Sequence, residues 1–116
     1  MYLVTGCAGF IGFHMCKLLL KKNCKVLGID NLNSYYSAKY KKFRISNLKK
    51  NKKFIFYKVD LSQKKKIKKL FSKYEFSNVI HLAAQPGVIY SYKNPQSYYK
   101  NNVIATNFLV DQIKEN

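Results

Sequence analysis

Short continuous apolar runs alternate along this chain with longer segments in which apolar residues recur every third or fourth position. Met1–Val4 is the first run and predicts a buried strand. Ile11, Met15, Leu18 and Leu19 then place a helical stripe on Phe10–Lys22. Lys25–Ile29 predicts a second strand, Ser34 to about Leu48 a weaker helix, and Phe54–Val59 a third strand. Ser62 is placed to cap a helix running to about Tyr74, with Ile67, Leu70, Phe71 and Tyr74 as its apolar face. Asn78–Ala84 is apolar enough to predict a fourth strand buried on both faces. Pro95 opens a last helix at its first turn, where proline is tolerated, and that helix runs to the end of the sequence. A repeated strand–helix alternation builds an α/β fold with a parallel sheet and right-handed crossovers.

The last helix carries Val103, Ile104, Ala105, Phe108, Leu109, Val110 and Ile113 around most of its circumference, leaving a polar strip near Asn107 and Asp111. A helix that apolar expects burial on more than one side. The fourth strand is likewise left as an apolar edge. Both features predict that more protein belongs beside this chain.

The junction of the first strand and first helix is the stretch Val4-Thr5-Gly6-Cys7-Ala8-Gly9-Phe10-Ile11-Gly12. A strand, a glycine turn and a helix N-terminus together form a site for a pyrophosphate, because backbone N–H groups and the helix dipole both face the anion. Gly6 is suited to a positive φ in the turn, Gly9 to close approach of phosphates, and Gly12 to close helix–sheet packing. The spacing is GxxGxxG rather than GxGxxG. Asp30 strengthens the reading: it ends the second apolar run, 18 residues beyond Gly12, where a carboxylate accepts hydrogen bonds from an adenosine ribose. The fold these features predict is a Rossmann-type doubly wound parallel sheet, incomplete, with about four strands and four helices.

With 116 residues the chain is sized for one domain. It has no run of 18 apolar residues, and Met1 opens directly into a strand, so a cytoplasmic protein without membrane span or leader is expected. Cys7, Cys16 and Cys24 lack metal or redox spacing and are expected to be buried, reduced thiols. The formal charge of +17 raises nucleic acid as a partner, with basic clusters at Lys39–Arg44, Lys49–Lys53 and Lys64–Lys69. Yet Arg44 is the only arginine among 22 basic residues, and arginine is the better fork for phosphate and base edges. The lysines are therefore expected to be solvated faces, with no nucleic-acid partner and no membrane partner.

Five stretches in order carry a family resemblance: Thr5–Gly12, Asp30-Asn31-Leu32-Asn33-Ser34-Tyr35-Tyr36, Val59-Asp60-Leu61, His81-Leu82-Ala83-Ala84-Gln85 and Asn102-Val103-Ile104-Ala105-Thr106-Asn107. On these the whole chain resembles the N-terminal part of an extended short-chain dehydrogenase/reductase of the NAD-dependent sugar-nucleotide epimerase/dehydratase branch. Within that branch it is most similar to UDP-glucuronate 4-epimerases, with UDP-glucose 4-epimerases close behind. The resemblance implies that residues 1–116 are an NAD-binding half-domain whose catalytic and substrate-binding portions are absent.

The resemblance also implies roles. Phe10 and Ile11 would offer backbone N–H groups to the pyrophosphate, and Asp30, with Asn31 beside it, would hold the adenosine ribose and disfavour NADP. Asp60 and Leu61 would flank the adenine, while Tyr35 and Tyr36 would close over the adenosine side. Ala83, Ala84 and Gln85 would pass under the nicotinamide ribose, and Asn102 would steady that region. His81 is read as a packed strand residue rather than a base. The family's chemistry uses a Ser/Thr and a Tyr-x-x-x-Lys pair on later elements, so the isolated chain is expected to be inactive, with no catalytic residue of its own. The implied parent reaction is C4 epimerisation of UDP-glucuronate through a 4-keto sugar, in a homodimer. The loop after Gln85 departs from the family pattern, with Pro86 and with Ile89 where an arginine is common. Other readings are a UDP-glucose 4-epimerase fragment, a dehydratase fragment, or an NAD-binding module without chemistry.

Overall fold

In the computed structural model, which describes residues 1–116, β1 (Tyr2–Thr5), β2 (Val26–Asp30), β3 (Phe54–Lys58) and β4 (Asn78–His81) form one parallel sheet. The strand order is β3-β2-β1-β4. Thr5 pairs with Ile29 on one side and with His81 on the other. The C-terminal ends of β1 and β4 therefore lie side by side where the strand order reverses, the place at which open α/β sheets bind ligands. Helices α1 (Phe10–Lys21) and α2 (Ala38–Leu48) connect β1 to β2 and β2 to β3. These elements make up one compact unit, Met1–Asp60 with Phe76–Leu82. Its core gathers Val4, Cys7, Cys16, Leu19, Val26, Ile45, Leu48 and Phe54.

The α/β class and parallel sheet agree with the apolar pattern, and several details do not. The buried stripe of α1 is Gly12, Cys16, Leu19 and Leu20, whereas Ile11 and Leu18 are exposed. The helix is rolled by one position because Gly12, the residue without a side chain, faces the first turn of the glycine loop. Helix α2 starts at Ala38, four residues after Ser34, because Asn31 to Ser37 form an irregular connection. β4 stops at His81, and its residues run from exposed Asn78 to half-buried Val79–His81. As an edge strand it is not buried on both faces.

The second unit, Leu61–Glu75 with Ala83–Asn116, is helical. It holds α3 (Lys64–Lys73), α4 (Val88–Lys93), α5 (Pro95–Tyr98), a π-helical stretch at Tyr99–Ile104, and α6 (Ala105–Glu115). Only α4 exceeds the expected elements: α5, the π-helical stretch and α6 follow one another without a break from Pro95 to Glu115, the span expected of the last helix. Helix α3 begins with Gln63, not Ser62, at its cap position, and the cap makes no side-chain hydrogen bond there. Its lysines spread around Ile67, Leu70 and Phe71, which are buried. It packs on α6, where the Lys64 ammonium lies 5.4 Å over the Phe108 ring. Asn94 caps α5 by accepting from the Ser97 N–H, with Pro95 in the first turn as expected. Ala105, Phe108, Leu109 and Gln112 are the buried face of α6, and Val103, Ile104, Val110 and Ile113 remain exposed. No helix is long and apolar enough to cross a membrane.

Candidate functional site

The turn after β1 is built around Gly6, whose φ of 68° lies in the left-handed region open to glycine. The Gly6 and Cys7 N–H groups donate to the Ile29 carbonyl at 2.8 and 3.3 Å, and the Gly9 N–H returns to the Gly6 carbonyl at 3.0 Å. That carbonyl is also where α1 comes closest: a Cβ on Gly12 would stand 2.1 Å from the Gly6 oxygen. The first helical bond runs from the Phe13 N–H to the Gly9 carbonyl, 3.0 Å. The N–H groups of Phe10, Ile11 and Gly12 therefore have no acceptor within the helix. No acidic side chain occupies the first turn of α1. Three N–H donors, a helix dipole and a close-packed glycine turn together fit a diphosphate.

Asp30 closes the other side. It is buried; its Oδ2 accepts from the Ala8 N–H at 3.1 Å and its Oδ1 from the Leu32 N–H at 2.8 Å. An ionised carboxylate offers about four acceptor positions, so about two remain for a ribose diol. Asn31 donates from Nδ2 to Asp60 Oδ2 at 2.9 Å, which ties together two residues singled out by the sequence. Tyr35 and Tyr36 stack edge to face, 4.9 Å between ring centroids, on the exposed connection before α2.

At the switch point, Thr5 is fully buried and its Oγ1 lies 2.6 Å from His81 Nδ1 while accepting from the Leu82 N–H at 3.0 Å. This hydroxyl pins the end of β4 to the end of β1. Burial lowers the His81 pKa from its ordinary 6.5, which keeps the imidazole neutral and suits a packed residue. Burial likewise pushes the Cys16 thiol up to about 12 and raises Cys7, with Cys16 and Asp30 adding repulsion to the latter. Cys24 differs from the expectation: it is only half-buried, beyond the end of α1.

In the helical unit, Asn102 grips the backbone of Gln85 from both sides. The Gln85 N–H donates to Asn102 Oδ1 at 2.7 Å, and Asn102 Nδ2 donates to the Gln85 carbonyl at 3.0 Å. Gln85 is buried, Ala83 half-buried and Ala84 exposed. Leu61 is buried in the same unit. Asn102 sits in the π-helical stretch, a distortion that often marks functional positions.

Two residues near the turn were missed by treating Lys39–Arg44 as a solvated face. Lys41 is buried and donates from Nζ to the Asn33 carbonyl and to Asn33 Oδ1, at 3.1 and 2.8 Å. Arg44 donates from Nη1 to the Ala8 carbonyl at 3.1 Å. The signal was the spacing Lys41, Ile45, Leu48, which puts Lys41 on the buried stripe of α2. No group of three or more His, Cys, Asp or Glu is placed to hold a metal ion.

Residues 3–116 match the family described as GDP-mannose 4,6 dehydratase. The chain belongs to that family. This agrees with the sugar-nucleotide epimerase/dehydratase branch marked by the five ordered stretches. Among relatives, it is 44% identical over 114 residues to a UDP-glucuronate 4-epimerase of Thermodesulfobacterium geofontis, covering 98% of this chain and 35% of the relative. It is 46% identical over 101 residues to UDP-glucuronate 4-epimerase 6 of Arabidopsis thaliana, covering 87% of this chain and 22% of that protein. The chain thus spans about a third or less of the length of these family relatives. A solved structure of the Bacillus cereus UDP-glucuronic acid 4-epimerase, in complex with UDP-glucuronic acid and NAD, superposes with a TM-score of 0.88. Its identity is 39%, over 97% of this chain and 36% of that one. The UDP-Glc/GlcNAc 4-epimerase of Campylobacter jejuni gives a TM-score of 0.87 at 34% identity, over 98% of this chain and 33% of that one.

Proposed function

We infer that this chain is the NAD-binding part of a sugar-nucleotide 4-epimerase whose substrate is UDP-glucuronate. The observation that carries the reading is the turn at Gly6–Gly12. Backbone packs there too closely for any side chain at Gly12, and three N–H groups point away from the helix with no internal acceptor. In this reading the Phe10, Ile11 and Gly12 N–H groups bind the pyrophosphate, with Gly9 leaving room for it. Asp30 holds the adenosine ribose, and its charge disfavours a 2′-phosphate. Asn31, Asp60 and Leu61 border the adenine. Ala83, Ala84 and Gln85 border the nicotinamide ribose, with Asn102 fixing the Gln85 backbone. NAD held there would supply reversible hydride transfer at the sugar C4. The chain's own residues bind and orient it, and the proton-transfer groups belong to elements outside residues 1–116.

Three free cysteines agree with a reducing, cytoplasmic setting. The exposed Val103, Ile104, Val110 and Ile113 agree with a homodimer of the complete enzyme.

The test is calorimetry on the natural gene product with NAD and NADP, alongside conversion of UDP-glucuronate to its C4 epimer. NAD binding, weakened at least about tenfold in Asp30→Asn, is the expected result. Absence of NAD binding by the natural product refutes the reading. Ile89 favours a second substrate: an exposed aliphatic residue replaces a common arginine and removes a cation suited to a carboxylate. Turnover of UDP-glucose in preference to UDP-glucuronate would select that reading.

A further inference from the structure

Arg44 is the single arginine of the chain, and it is half-buried where Lys39 and Lys42 near it are exposed. Its Nη1 donates to the Ala8 carbonyl at 3.1 Å, while the Ala8 N–H donates to Asp30 Oδ2 at the same distance. One residue of the glycine turn is thus held at both its polar groups by side chains of opposite charge. The guanidinium also lies 5.9 Å from the centre of the Phe10 ring, and Phe10 opens α1. A guanidinium has five N–H donors, and the bond to Ala8 uses one of them.

An anionic ligand in this turn meets an electrostatic difficulty. Asp30 sits under the turn with its carboxylate buried, and a carboxylate beside a diphosphate repels it. A cation on the other side of Ala8 offsets that repulsion. A planar fork does so while keeping one donor on the carbonyl, which a lysine ammonium does less well.

We propose that Arg44 is the cationic flank of the phosphate-binding turn. One N–H positions the Ala8 carbonyl, and the remaining donors and the charge favour a diphosphate at the N-terminus of α1. The proposal rests on the dinucleotide reading above and adds a residue to it. The experiment compares the natural gene product with Arg44→Met and Arg44→Lys, using ADP and adenosine as probes at low and high salt. Adenosine lacks the diphosphate and isolates it.

In Arg44→Met, ADP affinity falls about tenfold or more and loses much of its salt dependence, while adenosine affinity changes by less than about twofold. Arg44→Lys retains the salt dependence with affinity between the two. Amide exchange at Ala8 and Gly9 speeds up in both variants without ligand. Equal loss for ADP and adenosine means a role in folding the turn alone and overturns the proposal. So does Arg44→Met binding ADP as tightly as the natural protein. If Arg44→Met does not fold, Arg44→Lys decides alone, and wild-type affinity with unchanged exchange overturns the proposal. A natural protein that binds neither NAD nor ADP removes the dinucleotide reading itself, an outcome distinct from a failure confined to Arg44.

Discussion

Gly12→Ala puts the strongest demand on the turn. The added Cβ would lie 2.1 Å from the Gly6 oxygen, 2.8 Å from the Gly6 carbonyl carbon and 3.0 Å from Cys7 Cα. All three are backbone atoms, so no side chain can swing aside. A normal carbon–oxygen contact needs α1 to withdraw from β1 by roughly 1 Å, which also loosens Cys16, Leu19 and Leu20. Overpacking of this kind costs about 1–3 kcal/mol and more where the walls are rigid. Alanine gains about 1 kcal/mol over glycine as a helix former, which offsets part of it. The net expectation is a loss of about 2 kcal/mol, or a fall in Tm of roughly 8 °C for a domain of this size. Gly9→Ala is the internal control. Its φ is −68° and its Cβ would sit 3.2 Å from the same oxygen, so stability should move by less than about 1 kcal/mol. In the proposed function that Cβ stands where the pyrophosphate would approach, so NAD affinity should drop. Urea unfolding at unchanged m measures the first effect and calorimetry the second. A Gly12→Ala protein within about 0.5 kcal/mol of the natural one would refute the close approach of α1 to the turn.

Removing the Asn102 side chain with Asn102→Ala leaves the buried N–H and carbonyl of Gln85 without their partner, at a cost of about 2–3 kcal/mol. Asn102→Asp keeps the acceptor for the Gln85 N–H but turns a carboxylate oxygen toward the Gln85 carbonyl, so it should not restore the loss; wild-type stability of Asn102→Asp in urea unfolding would argue against the paired bonds. His81 has its pKa lowered by burial, so its contribution to stability is complete above the ordinary 6.5 and declines as pH falls from there toward the folded value. Over that window the natural protein should lose stability relative to His81→Asn, by at most about 1.4 kcal/mol per pH unit, and parallel curves would contradict this. A rise of the Cys16 pKa from 9.0 to about 12 cuts its thiolate roughly a thousandfold. Thiol reagents should therefore modify Cys24 first and reach Cys16 only on unfolding, as peptide mapping of the labelled protein would show.

The parts of this fold that were legible from sequence are those fixed by contacts near in the chain. Met1–Val4 and Lys25–Ile29 are apolar runs too short for helices, and each proved to be a strand within one residue of its expected bounds. The GxxGxxG spacing made the tight turn legible because Gly6, Gly9 and Gly12 all meet at one carbonyl, the Gly6 oxygen, within a single turn. Apolar periodicity misplaced the buried face of α1 for the same reason. It counted Ile11 and Leu18, but the side facing the strand is set by Gly12, which has no hydrophobicity to count.

What was hidden involves partners that carry no sequence signature. Asn102 bonds to the backbone of Gln85, 17 positions away, and any residue at 85 except proline would have offered the same N–H and carbonyl. Arg44 bonds to the carbonyl of Ala8 by the same logic, from 36 positions away. Composition concealed it further, because a chain rich in lysine makes every basic cluster look solvated. The discriminating fact was positional: Lys41 and Arg44 are three apart and lie along the stripe of Ile45 and Leu48, so they turn inward while Lys39, Lys42 and Phe43 turn out. A cation on the buried side of a helix must be satisfied by something. The acceptors they meet are Asn33 for buried Lys41 and the Ala8 carbonyl for half-buried Arg44, so both basic residues on the inner face of α2 bond to the loops that follow β2 and β1.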